Sequence, residues 1–296
     1  MSTTDTPTVS VVTPVKNDAA RLRRCVDALR KQRYPSDRLQ TIVVDNGSDD
    51  DELAALQMID GIVLLRHPYG GSYAARNAGL DHARGTVVAF TDSDCTPHPD
   101  WVRAGVACLE RRPDAGVVAG RVELTYAGSE PKTPVEAYEG LFAFPQRRLA
   151  RRGHGVTANW FSWKSVLDEL GRFDASLYSN GDTELAARIF RSGLPVVYCH
   201  KAAVKHPARR RLPEIRRKSI RIAEGNVARI PSGSVRGPLL LLAKNVGWHV
   251  IRCAELLNHV GRWPVRHLWN AFLVSHVVMA TRLIVVARWL LTGRSR

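Results

Sequence analysis

The sequence predicts an α/β chain: a mostly parallel sheet flanked by helices, followed by amphipathic and apolar C-terminal helices. Three observations carry that expectation. Apolar, β-branched segments of strand length alternate with helix-like segments up to about residue 122. Polar residues gather just after three of those strands. Beyond Pro213, stretches rich in Leu, Val, Ile and Trp take over. Near-continuous apolar strands separated by helices imply a sheet covered on both faces, and in such sheets ligands collect at the carboxyl ends of the strands.

Taken in order, Val9 to Thr13, Thr41 to Val44, Ile62 to Leu65, Val87 to Phe90 and Gly116 to Ala119 read as buried strands. Helix-like segments lie between them at Asp18 to Gln32, Asp49 to Met58, Ser72 to Ala83 and Pro99 to Arg111. Residues 123 to 163 are less regular, broken by Pro131, Pro134, Pro145 and a Gly153-His154-Gly155 turn. A helix from Lys164 to Leu170, a Gly-Arg-Phe-Asp turn and a loop Ser179 to Asp182 follow. A helix over Thr183 to Arg191, stopped by Gly193, leads into a short strand from Pro195 to Cys199. Two long helices are expected at Pro238 to Leu257 and Val265 to Leu291. The uncharged run Leu268 to Thr281 is shorter than the roughly 20 residues needed to cross a bilayer. Trp248, Trp263, Trp269 and Trp289 beside arginines suit helices lying at a membrane surface; packing on the core or on a second subunit, and true spanning, are the alternatives.

A chain of 296 residues, 45% hydrophobic and 24% charged, buries a real core. Its net charge of +15 implies a polyanionic partner: phosphate-bearing substrates, an anionic membrane surface or nucleic acid. The excess lies from Arg147 onward, densest at Arg209-Arg210-Arg211 and Arg216-Arg217-Lys218. Such clusters are ordinarily solvated helix faces; beside Trp-bearing apolar helices they suit lipid headgroups or a lipid diphosphate. Five scattered cysteines without CxxC spacing fit free thiols in a reducing compartment. The short polar start, Met1 to Thr8, shows no signal-peptide pattern, so a cytosolic catalytic domain is expected.

The segment Val87 to Asp94 concentrates the chemistry. A strand ends in Asp92-Ser93-Asp94, and carboxylates two apart share one side of an extended chain. Two readings fit: a cap for the helix that follows, or a site whose charge repulsion a hard divalent cation relieves. Upstream, Gly70-Gly71 opens a helix whose N-terminus offers N–H groups to an anion, with Arg76 one turn in. A glycine pair before a helix is, taken alone, most often a turn.

Four segments then align with a known pattern. Val9-Ser10-Val11-Val12-Thr13-Pro14, Ile42-Val43-Val44-Asp45-Asn46-Gly47-Ser48, Ala75-Arg76-Asn77-Ala78-Gly79-Leu80 and Phe90-Thr91-Asp92-Ser93-Asp94 resemble the family 2 glycosyltransferases. The likeness continues loosely through Gly171-Arg172-Phe173-Asp174 and Asp182-Thr183-Glu184-Leu185 to about residue 206. It implies a GT-A fold and inverting, metal-dependent transfer from a nucleoside-diphosphate sugar. The donor would be a UDP-sugar first, with GDP or TDP as alternatives, and the cation Mn2+ or Mg2+. Thr13, Pro14, Lys16, Asp45, Gly71, Arg76 and Asp92 would bind the nucleotide sugar, and Asp94 would ligate the metal with Asp92. His206 falls where relatives place a histidine near the metal, ahead of His200 and His154. Asp182 matches the general base, with Glu184 in reserve, although the usual Glu-Asp is here Gly181-Asp182. Asp182 also suits a helix cap. Asn159 and Trp160 match an acceptor or sugar contact.

The resemblance divides the chain into a disordered stretch 1–8, a nucleotide-sugar half 9–122, an acceptor half 123–212 and a membrane-associating helical region 213–296. The acceptor would be a lipid-linked or cell-envelope glycan, the enzyme peripheral on the cytosolic membrane face, with a homodimer through the C-terminal helices as the alternative use of those helices. A sugar-nucleotidyltransferase would carry a glycine-rich loop after the first strand, and Thr13-Pro14-Val15-Lys16-Asn17 has no glycine. A nucleic-acid binder is permitted by charge, yet no recognised motif for it is present. A catalytically dead sugar-binding relative fits poorly with retention of Asp45, Asp92, Asp94 and Asp182.

Overall fold

The computed structural model describes residues 6–231, 234 and 236–292. Its eight strands are β1 (Val9–Val15), β2 (Leu39–Asp45), β3 (Val63–Arg66), β4 (Val87–Thr91), β5 (Thr96–Pro97), β6 (Val117–Thr125), β7 (Asn159–Trp163) and β8 (Val196–Pro207). They form one sheet in the order β3-β2-β1-β4-β7-β6-β8-β5. β3, β2, β1 and β4 run parallel, so the carboxyl ends of β1, β2 and β4 lie on one edge. β7 joins β4 antiparallel, with Asn159 opposite Thr91, and β6 pairs antiparallel with β7. The expected α/β sheet flanked by helices thus has a parallel half, β3 to β4, extended by antiparallel strands.

Helices α1 (Ala19–Arg30), α2 (Asp50–Gln57), α3 (Gly71–Asp81) and α4 (Trp101–Arg111) are the crossovers. α1 buries Leu22, Cys25, Val26 and Leu29, the i, i+3, i+4, i+7 stripe of an amphipathic helix. α3 lies close on β1 and β2, where a Cβ on Gly79 would come within 2.4 Å of Val12. Trp101 and Phe161, both fully buried, meet at 4.8 Å between α4 and β7.

Beyond the two-residue β5, three elements escaped the sequence reading. The irregular stretch contains α5 (Pro134–Phe142), opened by a Thr133–Glu136 capping box, α6 (Gln146–Ala150), and the strand β7. α7 (Lys164–Glu169) and α8 (Gly181–Arg191) follow; β8, at twelve residues, is longer than expected. α9 (Leu212–Val227), α10 (Arg236–Leu257) and α11 (Val265–Thr292) complete the chain.

The chain forms two compact units. One comprises residues up to Glu123, Phe144–Ser176 and Gly181–His206; the other Leu124–Ala143, Leu177–Asn180 and Pro207 onward. Residues 123–212, expected as one half, are shared between them. The second unit has its own core, in which Val135, Tyr138 and Phe142 of α5 and Ile215 of α9 meet Leu268, Ala271 and Val274 of α11. α11 is long and apolar enough to cross a membrane, with a mean hydropathy of 1.7 over its most apolar window, a third of which is buried. Residues 1–5 of the stretch expected to be disordered lie outside the described residues. Thr6 to Thr8 are ordered: the Thr6 carbonyl accepts from Arg38 at 3.0 Å, and Thr8 Oγ1 accepts from the Thr86 N–H. All five cysteines are free, as expected.

Candidate active site

The carboxyl edge of β1, β2 and β4, entirely within the first unit, gathers the polar strand-end residues. Asp45 ends β2 fully buried, where its Oδ1 accepts from the Ser48 N–H at 2.9 Å across a turn with Gly47 at φ +82°. Ser48 Oγ in turn accepts from the Asn17 N–H, and Asn17 Oδ1 accepts from the Asp49 N–H, both at 2.9 Å. The loops after β1 and β2 are thus laced together. Among the described residues Asp45 Oδ2 has no hydrogen-bond partner, although Arg66 Nε stands 3.7 Å away, and the buried Thr13 Oγ1 has none either. Burying polar atoms without partners is costly, so these two oxygens suit a ligand that donates to them. Pro14 is half-buried and Lys16 exposed on the same loop.

Asp92 and Asp94 emerge after β4, and His206 comes beside them from β8. One ligand atom from each lies within 4.8 Å of the others. His206 Nε2 is 3.4 Å from Asp94 Oδ1, and the imidazole is almost wholly buried against Phe144 at 4.6 Å between ring centroids. Burial, with Asp92 adding to it, raises the Asp94 carboxyl above the ordinary carboxylate range, while His206 opposes the rise. A carboxylate pushed towards neutrality by burial and a neighbouring carboxylate is one that a cation would favour. Two carboxylates and an imidazole are a donor set that fits a divalent metal.

Arg76 is 4% exposed and donates from Nη2 to Asp92 Oδ1 at 2.6 Å. The pair orients the motif carboxylate, while Arg76 Nε is buried without a hydrogen-bond partner among the described residues. The Gly70-Gly71 start of α3, both residues at positive φ, is exposed. Asp18, which read as a helix start, makes no cap for α1; its carboxylate accepts from Ser93 Oγ at 3.0 Å and from Arg21 Nε at 2.7 Å. It therefore ties the middle of the Asp92-Ser93-Asp94 loop to the end of β1.

Asp182 sits in the first turn of α8. Its Oδ1 accepts from the Thr183 N–H at 2.9 Å and faces Tyr73 Oη at 3.4 Å. Desolvation raises the Asp182 carboxyl above its ordinary value, held back by the Thr183 and Thr157 N–H groups and by Arg76. Burial, with Asp182 nearby, pushes the Tyr73 phenol up to about 12, so it remains a donor at neutral pH. Tyr73 was missed from sequence, but it lies three residues before Arg76, on the same helix face.

Three expected residues take structural roles instead. Glu184 is paired with Arg188 at 2.8 Å, and Arg188 also holds the Leu170 and Gly171 carbonyls at 2.6 Å. Asn159 is fully buried: it accepts from Trp101 Nε1 at 2.8 Å and donates to the Arg121 and Ala202 carbonyls at 2.8 and 3.0 Å. Trp160, also fully buried, donates to Ser162 Oγ. With their polar atoms already bonded and no exposed surface, Asn159 and Trp160 have nothing to offer a sugar. Of the weaker candidates, His200 is exposed on β8 and His154 half-buried, its Nδ1 unpartnered.

Comparison with known proteins falls in line with this geometry. The model of glycosyl transferase family 2 matches residues 10–171. The glycosyltransferase AglE of Haloferax volcanii is 32% identical over 231 residues, covering 76% of this chain and 75% of that protein. A pre-mycofactocin glycosyltransferase of Mycobacterium tuberculosis is 33% identical over 217 residues, 69% of this chain but 43% of that protein's length. Among solved structures, the mannosyltransferase PcManGT from Pyrobaculum calidifontis, in complex with GDP-Man and Mn2+, superposes with a TM-score of 0.64. It is 20% identical, covering 98% of this chain and 88% of that one, so the likeness is one of fold.

Proposed function

The chain belongs to glycosyl transferase family 2, and from that premise we propose that it is a metal-dependent, inverting enzyme. It would move a sugar from a nucleoside diphosphate to a hydroxyl of a lipid-linked or cell-envelope glycan. The observation that carries this reading is the convergence of Asp92, Asp94 and His206 within 4.8 Å on the sheet edge that also bears Asp45 and Thr13.

Asp45 and Thr13 accept from the donor's base or ribose, their unpartnered oxygens being turned to that task. Asp94, with Asp92 and His206 in reach, would hold a divalent cation, which when bound would offset the charge of the departing diphosphate. Arg76 fixes Asp92 by their 2.6 Å ion pair. Asp182 takes the proton from the attacking hydroxyl, its raised basicity suiting a general base better than an ordinary carboxylate. Attack opposite the leaving group inverts the anomeric centre. The GDP-Man and Mn2+ bound by the Pyrobaculum mannosyltransferase support a nucleotide-sugar donor and a divalent metal; a UDP-sugar is the first choice, with GDP and TDP as alternatives. α10 and α11 expose Leu240, Ile251, Trp269 and Ile284, which supports association with a membrane surface; an anionic, cytosolic face is the side proposed for it.

A screen of nucleoside diphosphates by thermal shift, with Mn2+ or Mg2+, tests the reading. One should stabilise the wild type, and Asp94→Ala should lose the metal-dependent part of that stabilisation and all turnover. Turnover near wild type in Asp94→Ala would remove the metal assignment. Ile251→Asp with Ile284→Asp should move the chain from a vesicle pellet to the supernatant. Unchanged partition, or a dimer that dissociates instead, would assign those faces to a second copy.

A further inference from the structure

The second unit contains a cavity of about 730 Å³ lined by the cations Arg209, Arg217, Lys218 and Arg221 and by the carboxylates Glu214 and Glu224. Its cations are held in place from behind. Glu139 of α5 is fully buried and accepts from Arg209 Nη1 at 2.8 Å, from the Arg209 N–H at 2.7 Å and from Lys218 Nζ at 3.0 Å. One carboxylate thus serves two cations and leaves positive charge over. Burial, with the Arg209 charge adding to it, pulls the Lys218 ammonium down to about 8 despite Glu139. Glu214, whose Oε2 also accepts from the Arg210 and Arg211 N–H groups at 3.0 and 2.9 Å, and Glu224 offset part of the positive charge, but Arg209, Arg217, Lys218 and Arg221 together outnumber Glu139, Glu214 and Glu224. Arg217 is exposed and has no hydrogen-bond or ion-pair partner among the described residues. Arg221 reaches Ser179 Oγ at 3.4 Å, and Ser179 stands three residues before Asp182 in the chain.

Charge alone would suit any anion. The rest of the unit narrows the choice: α9 sets Ile215 into the core it shares with α11, and α10 and α11 leave Leu239, Leu240, Val250 and Ile251 of α10 and Ile284 of α11 exposed. A cationic recess and bare apolar helices in one compact unit match a ligand with a phosphate at one end and a hydrocarbon chain at the other. We propose that this groove holds a lipid-borne phosphate, with Arg217, Lys218 and Arg221 as its ligands and Glu139 as the anchor that positions Lys218. The inference rests on the lipid-linked reading of the acceptor and gives that acceptor's phosphate a place.

The test uses the full chain with phosphatidylcholine vesicles that carry either phosphatidic acid, a phosphomonoester, or phosphatidylglycerol, a diester, at matched surface charge. The wild type should prefer phosphatidic acid by about tenfold, the worth of one charge-assisted contact, and Arg217→Ala with Arg221→Ala should abolish the preference. Arg217→Ala alone, which breaks no internal contact, should reduce it and guards against misfolding of the pair. Equal binding to both vesicles, or a preference that survives in the variants, overturns the proposal. Inorganic phosphate should release the protein only at far higher concentration; release at equal phosphate concentration would make the ligand a free anion and overturn the lipid part. Stabilisation by a nucleoside diphosphate with Mn2+, measured on the same variants, should be unchanged. Its absence in the wild type would count against the glycosyl-transfer reading and not against the groove.

Discussion

Arg76 Nη2 and Asp92 Oδ1 form a 2.6 Å ion pair in which the arginine is 4% exposed and the carboxylate about a third exposed. The buried partner cannot move, so the exposed one is aimed. Support of this kind typically governs metal affinity by about 10–100-fold. Arg76→Ala should therefore raise the Mn2+ concentration for half-maximal turnover by about that factor. Arg76→Lys keeps the charge but loses the planar fork, and should recover only part of it. A Mn2+ titration of initial rate decides this; an unshifted midpoint in Arg76→Ala would show that Asp92 needs no such support.

Much of this edge was legible from the chain alone, because its signal is local. Strand ends followed by Asp45 or Asp92 announce themselves through the apolar run before them. What was not legible depends on pairing between distant segments. Asn159 looked like a ligand contact because it follows a glycine-rich turn; only its register opposite Thr91 and its bonds to Trp101, Arg121 and Ala202 show it to be a cross-link. Glu184 was equally plausible until Arg188, one turn on, claimed it. Tyr73 carried no charge to draw attention, and α5 hid among prolines, one of which is its own first residue.

Asp182→Asn should retain nucleoside-diphosphate binding and lose transfer by about 100-fold or more, since general-base catalysis is worth roughly that. The raised carboxyl sets the pH dependence as well. A base works only when deprotonated, so activity falls as pH drops through a pKa above the ordinary 3.8. Tyr73 faces the charged form at 3.4 Å; Tyr73→Phe removes that donor and should move the acid limb of the kcat profile to higher pH. A limb that stays in place would take Tyr73 out of the role.

Gly120 and Asn159 make a stability prediction free of catalysis. A Cβ at residue 120 would sit 2.2 Å from Asn159 Oδ1, a contact that requires the amide to move. Gly120→Ala should cost about 2–3 kcal/mol by displacing it, and Asn159→Ala a similar amount, because Trp101 Nε1 and two carbonyls lose a buried partner. Urea unfolding checks both. If Asn159→Ala were as stable as wild type yet bound donor poorly, Asn159 would be a ligand residue after all.

Glu139 gives the second unit an acid-sensitive anchor. Burial alone would raise its carboxyl, but Lys218, Arg209 and the Arg209 N–H outweigh burial and hold it down, from 4.5 to about 2. The unfolded chain therefore takes up a proton first as pH falls. The stabilisation is complete above about 4.5 and is lost as pH drops from there through about 2. The shift corresponds to about 3 kcal/mol, and the fully buried carboxylate gives little cause to discount it for solvent. Glu139→Gln should lower the urea midpoint at neutral pH, because Arg209 and Lys218 keep their charges and lose their shared partner. It should also flatten the stability profile between pH 4.5 and 2. A wild-type profile already flat across that window would mean that Glu139 is not the group that ties α5 to α9.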